Sequence, residues 1–275
     1  MSGRLLVVAT PIGNLGDLSP RAAEALRTAD VVACEDTRRT ATLLRHAGST
    51  TKMLATHEHN EAGRAEELVA RAEAGERIVL VTDAGLPSIS DPGQRVVAAF
   101  RAAGLEVSVI PGPSAVESAL VASGFVAEPY LFVGFFPRKD GDRSALLNRA
   151  DASGGAVVGF ESPKRVAALL AALASRIPAR MVAICRELTK LHEEVMVGTA
   201  ADLAERVTGD LRGEVTIVLD ALPPAIGTNE DLRRAAALVA SAGIGPGPGA
   251  DLMVALGPWS RNAAYRAILD ARATG

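Results

Sequence analysis

A chain of 275 residues, 48% hydrophobic and 22% charged, is long enough for one large core or two smaller ones and has the composition of an ordinary globular protein. Its formal net charge of -3 supplies no overall positive field for nucleic acid or an anionic membrane, so any basic site must be local. Cys34 and Cys185 lie outside any Cys-x-x-Cys, arguing against a disulfide framework and a structural zinc site. The apolar stretch near the start is too short for a signal peptide and no run reaches about 18 apolar residues, so the expected setting is a reducing cytoplasm with no membrane partner.

Along the chain, short β-branched runs alternate with Ala/Leu-rich stretches of helical period, the pattern of a parallel sheet covered by helices. "RLLVVA" (4–9), "VVAC" (31–34), "IVLVT" (78–82) and "LEVSVI" (105–110) read as strands. Between them Ser19 caps a helix that opens on Pro20, and residues 61–74 and 92–103 have helical spacing, with Asp91 suited to cap the latter. "PGPSA" (111–115) disfavours regular structure and reads as a hinge before a helix beginning near Ser114. Beyond it "YLFVGFF" (130–136), "AVVGF" (156–160), "MVAIC" (181–185), "EEVMVG" (193–198) and "GEVTIVL" (213–219) read as strands of a mixed sheet with antiparallel pairs and fewer, shorter helices. "ALPPAIGTN" closes that unit; a helix, a flexible "GIGPGPGAD" and two short helices, 251–256 and 260–271, complete the chain. The expected division is an α/β domain over 1–113, a second over 114–222 and a helical tail over 223–275.

Ligands of open α/β sheets bind beyond the carboxyl ends of the strands. The segments there are "TPIGNLGDLSP", "EDTRRT", "DAGLPSISDPG" and "PGPSA", then "PRKD", "ESPKR" and "RELTK". Turns rich in Gly, Pro and Ser let the backbone approach a ligand, so residues 82–93 read as a binding loop. A dinucleotide fingerprint fails on detail: Gly13-x-x-Gly16 is not G-x-G-x-x-G, and three residues separate it from the helix that should receive a pyrophosphate. No G-x-x-x-x-G-K-[ST] occurs. His57 and His59 lack a third ligand at metal spacing and read as part of a hydrogen-bonded loop, and no metal is expected.

Nine segments in order, "VVATPIGNLGDLSPRA", "CEDTRRT", "THEHNE", "TDAGLPSISDPG", "PGPSA", "FVGFFPRK", "ESPKR", "CRELTK" and "GEVTIVL", together resemble the tetrapyrrole-methylase superfamily, and within it the ribosomal RNA small-subunit methyltransferases that modify a cytidine ribose. The resemblance implies two α/β domains of non-Rossmann type, a homodimer, and S-adenosylmethionine in the cleft between the domains. Carried over residue by residue, it places Pro11, Gly85, Leu86, Ser88, Ile89, Ser114, Ala115, Phe160, Arg186 and Gly213 at the cofactor. Leu86-Pro87-Ser88 departs from the family's usual Thr-Pro-Leu after "DAG", and the tail departs further.

The reaction so implied is attack of a 2'-hydroxyl of 16S RNA on a sulfonium methyl, which needs positioning and removal of one proton. Asp36, Glu187 and Lys190 are the candidate bases. Arg38, Arg39, Arg138, Lys139, Lys164 and Arg165 are candidate phosphate contacts that could form one positive rim. Aromatic residues are only 3%, so no stacking platform is evident. The last two helices suggest either an RNA-contacting pair or a cover for a sheet edge. Competing expectations are methylation of a corrin or porphyrin ring and a ribosome assembly factor that holds the cofactor without using it.

Overall fold

Apolar runs such as Val31 to Cys34, whose four residues are all buried, are the mark of strands covered on both faces, and two sheets of this kind organise the molecule. The computed structural model describes residues 3–57, 59–221 and 229–273. In the first half come β1 (Arg4–Val8), α1 (Pro20–Thr28), β2 (Val31–Cys34), α2 (Thr37–Ala47), β3 (Met53–Ala55), α3 (Glu61–Glu73), β4 (Arg77–Leu80), α4 (Gln94–Ala102) and β5 (Glu106–Ile110). The strands pair in the order β3-β2-β4-β1-β5, all parallel. One face buries Phe100, Leu68 and Ile78 under α3 and α4; the other buries Leu26, Leu43 and Val79 under α1 and α2.

The second half contains α5 (Ala115–Ser123), β6 (Tyr130–Phe135), α6 (Asp140–Ser153), β7 (Ala156–Glu161), α7 (Val166–Arg176), β8 (Met181–Arg186), β9 (Glu194–Thr199), α8 (Ala200–Arg206) and β10 (Val215–Leu219). Its order is β6-β7-β10-β8-β9, with β6 parallel to β7 and the other pairs antiparallel. α6, α7 and α8 cover one face. The other face receives α5, and Ile12 from the first half joins that same apolar cluster. Three further helices, α9 (Asn229–Ser241), α10 (Pro246–Leu256) and α11 (Arg261–Ala273), close a small core of their own around Ala236, Met253 and Ile268.

Strands fall where the apolar runs place them, with ends shifted by at most a residue or two. Helices extend further than the sequence pattern predicts. α6 and α7 are full-length helices where short ones were expected, and "GPGPGAD" is not flexible, since α10 begins at Pro246. Proline is tolerated in a first helical turn because the N–H it lacks has no partner there anyway. α4 begins at Gln94 with Gly93 in the cap position, so Asp91 is not its cap. The expected boundary at 222 lies outside the described residues.

Candidate active site

The carboxyl ends of β1, β2, β4 and β5 face the ends of β6, β7 and β8 and the start of β10 across a cleft of about 540 Å³. That volume is typical of a small-molecule site. From the first sheet come Ile12, Glu35, Arg39, the loop from Asp83 to Asp91, and the segment Ser114 to Val116. From the second come Phe135, Phe160 to Pro163, Cys185, Leu188 and Gly213 to Thr216.

The loop after β4 is held from three sides. Thr10 and Gly85 exchange two backbone hydrogen bonds, 2.8 and 3.1 Å, tying it to the turn after β1. The Thr10 hydroxyl donates to the Thr82 carbonyl at 3.1 Å. Glu61, at the start of α3 and buried, accepts from the backbone N–H of Gly93 at 2.9 Å and of Arg95 at 2.8 Å, capping α4 from a different helix. Among the described residues, the non-glycine positions with positive φ are Ser88, Ser90, Glu187 and Thr189, all in the two loops that meet at this cleft. Left-handed backbone at such residues costs on the order of 1–3 kcal/mol each and persists where the surroundings enforce it, commonly at functional sites. The two halves also touch closely: a Cβ added at Gly13 would lie 2.5 Å from Cγ of Lys190.

One wall is acidic. Glu35 accepts from the Thr82 hydroxyl at 3.0 Å, while Asp83 accepts from the Asp36 N–H at 3.2 Å and faces Arg39 at 3.4 Å. Burial, then the charge of Glu35, raises the Asp83 carboxyl above its usual range. The same two causes, in the same order, push Asp91 up to about 6, against a hydrogen bond from Thr82. On the opposite side the Cys185 thiol is raised to about 11 by burial and by Glu193, which makes it an inert apolar group.

Of the residues expected at the cofactor, Gly85, Leu86, Ile89, Ser114, Ala115, Phe160 and Gly213 line the cleft. Pro11 is buried next to the lining residue Ile12. Ser88 belongs to the loop without lining the cleft; its hydroxyl is buried and unpartnered. Arg186 also stays outside, with Nε and Nη2 on Glu194 at 3.0 and 2.9 Å.

None of the three expected bases lines the cleft. Asp36 is the N-cap of α2, and hydrogen bonds from the Arg38 side chain and backbone hold it at about 2. Glu187 accepts from Lys190 at 2.7 Å and from the Glu214 N–H at 2.9 Å, and both bonds keep its carboxyl below the usual range. Burial opposes charge on Lys190, yet its bonds to Glu187 and Glu214 outweigh it and raise the ammonium's pKa. A carboxylate that resists protonation and a lysine that keeps its proton are poor proton acceptors at neutral pH.

The expected positive rim divides in the same way. Arg38 is spent on Asp36 and Arg39 faces Asp83. Arg165 binds buried Glu161 through Nε and Nη2, both at 2.6 Å, and the Phe136 carbonyl at 2.9 Å. Arg138, Lys139 and Lys164 are exposed and form no ion pair among the described residues. Asp83 and Asp91 fall inside the 82–93 segment that reads as a binding loop, and Phe135 inside the apolar run 130–136, but none of the three is marked as a site residue by the sequence. Among the described residues no group of three or more His, Cys, Asp or Glu could hold a metal ion.

Residues 4–204 match the family described as Tetrapyrrole (Corrin/Porphyrin) Methylases. The chain is 42% identical over 224 residues to the "Ribosomal RNA small subunit methyltransferase I" of Synechocystis sp., covering 81% of this chain and 80% of that one. It is 46% identical over 229 residues to the protein of the same name from Mycobacterium bovis, covering 81% and 79%. Among solved structures it is similar to the methyltransferase CobJ, with TM-score 0.62 and 19% identity over 81% of this chain and 96% of that one. The uroporphyrin-III C-methyltransferase of Thermus thermophilus complexed with S-adenyl homocysteine matches with TM-score 0.56 and 20% identity, over 79% and 97%. Two sheets with a cleft between their ends, the matched residues 4–204 and relatives above 40% identity place this chain in the tetrapyrrole methylase family, to which it belongs.

Proposed function

We propose that this chain transfers a methyl group from S-adenosylmethionine to the 2'-oxygen of a cytidine ribose in the 16S RNA of the small ribosomal subunit. The observation that carries this reading is the cleft itself, joined to the name shared by relatives that match 81% of the chain. The residues present fit the cofactor. A volume of about 540 Å³ suits a nucleoside joined to an amino acid, and carboxylates of Glu35 and Asp83 on one wall suit a ligand bearing ammonium and sulfonium cations. Gly85, Leu86, Ser114 and Ala115 would hold it from one side, Phe160 and Gly213 from the other. When bound, S-adenosylmethionine supplies a methyl group already activated by its positive sulfur.

The chain's own work is to bind, orient and take one proton. Loops fixed by Glu61 and by the Thr10–Gly85 bridge hold their geometry before the ligand arrives, which lowers the entropic part of the barrier. Asp91 replaces Asp36, Glu187 and Lys190 as the proton acceptor in this reading: it lines the cleft, and a carboxyl at about 6 accepts a hydroxyl proton better than an ordinary one while remaining largely ionised at neutral pH. Arg138, Lys139 and Lys164 supply phosphate contacts. The division of the chain at 113 and 222, the homodimer and the cytoplasmic location belong to the same proposal; among the described residues no helix is long and apolar enough to cross a membrane.

Purified small subunits incubated with the protein and methyl-labelled S-adenosylmethionine test it. Label in 16S RNA, at a ribose linkage made resistant to alkali, is the expected result. Label on an added corrin or porphyrin instead, or on nothing, overturns it.

A further inference from the structure

Phe135 is 62% exposed, a costly position for a phenyl ring in a chain with six Phe, two Tyr and one Trp. Its placement is built by the strand beneath it. β6 runs beside β7 with Phe132 opposite Val158, and then slips so that Phe135 stands opposite Phe160: three residues are used on β6 against two on β7. Side chains three apart on a regular strand point to opposite faces; a bulge undoes this alternation and re-aims the later one. Gly134 takes the required left-handed conformation, φ 63°. The result is that Phe132 and Phe135 both meet Phe160 edge-on, with ring centroids 5.3 and 5.8 Å away and interplanar angles of 69° and 65°. Phe135 is therefore backed on one side, open on the other, and part of the cleft wall.

Its neighbours define what it faces. A Cβ on Gly134 would lie 3.6 Å from the Ser90 hydroxyl, so the loop after β4 comes alongside β6 here. That loop brings Ile89, 47% exposed and also lining the cleft. An aromatic plane from one half and an aliphatic group from the other thus flank the opening. Exposed Arg138 and Lys139 follow Phe135 within four residues, so the segment that carries the open ring also carries two cations. A flat apolar surface beside cations complements a nucleotide, whose base stacks while its phosphates pair with charge.

Resting on the function proposed above, we infer that Phe135 is the platform on which the base of the target nucleotide stacks, with Ile89 closing on that base. Stacking on an aromatic ring orients the attached ribose toward the cleft without reading the base edges.

The test uses the full chain with Phe135→Ala, Phe135→Trp and Ile89→Ala, measuring methyl transfer to small subunits, cofactor uptake by calorimetry, melting and sedimentation. Phe135→Ala is expected to lower kcat/KM for subunits about tenfold or more, and Phe135→Trp to restore it. Ile89→Ala is expected to give a smaller loss in the same direction. In both Phe135 variants cofactor affinity, melting temperature and sedimentation should stay as in the parent. An unchanged kcat/KM in Phe135→Ala overturns the inference. So does an equal loss of cofactor affinity, which would place the ring against the cofactor, or a changed sedimentation coefficient, which would place it against a second copy. If the parent protein labels no RNA, the functional reading falls and the platform with it; labelled RNA with an indifferent Phe135→Ala removes the platform alone.

Discussion

Asp91 carries its charge at an energetic disadvantage. Burial and Glu35 raise it from 3.8 to about 6, so between those values the folded chain holds a proton that the unfolded chain has released. Stability therefore falls as pH rises through this window, and the loss is complete above about 6. Asp91→Asn is expected to melt above the parent at pH 8, with the difference narrowing as pH falls from 6 toward 4; an equal or lower melting point at pH 8 would contradict the burial argument. The same variant should lose most methyl transfer, while the parent's activity should rise through a limb near pH 6. Lys164 and Arg165 are adjacent cations with different expected effects. Lys164→Ala should weaken subunit binding several-fold with unchanged melting, since its charge is exposed. Arg165→Ala should cost roughly 3–5 kcal/mol in chemical denaturation because it leaves the buried Glu161 carboxylate without its partner. Both residues sit in "ESPKR", and nothing in that string separates them; only the depth of Glu161 does.

At the level of elements, α4 has no side-chain cap of its own and depends on Glu61 from α3. Asp91 before Pro92 has the form of a local cap, yet α4 starts only at Gln94, Asp91 lines the cleft, and the cap comes from a residue about thirty positions earlier. Glu61→Ala orphans the N–H groups of Gly93 and Arg95 and is expected to lower stability by about 1–3 kcal/mol in denaturant. It should also weaken cofactor uptake by slackening the loop; unchanged affinity in calorimetry would show that the loop is held by its other ties. Strands were legible because apolar runs of four to six residues report burial directly. Nothing in the sequence pattern marks α2, whose first turn is the polar "TRRT", and the pattern places the start of α10 at Asp251 because the proline-rich "GPGPG" hides its first turns; β3 is too short to carry a pattern.

At the scale of the whole molecule, none of the described residues beyond Thr216 lines the cleft, and α9, α10 and α11 keep a separate core. A chain shortened after Ala221 is expected to take up cofactor with the affinity of the full protein, measured by calorimetry; a large loss would mean that the tail supports the cleft. Local sequence was enough to indicate two sheets, the Gly/Pro/Ser loops at the carboxyl ends of their strands, and the family, since strand burial, turn chemistry and motif order are all properties of short segments. It did not decide which charged side chains meet. Glu35, Asp83 and Asp91 converge because β2 and β4 are neighbours in the sheet, whereas Asp36, next in sequence to Glu35, turns to cap α2. Proton affinity and exposure depend on distances between groups remote in sequence, and those distances exist only once the sheets have formed and faced each other.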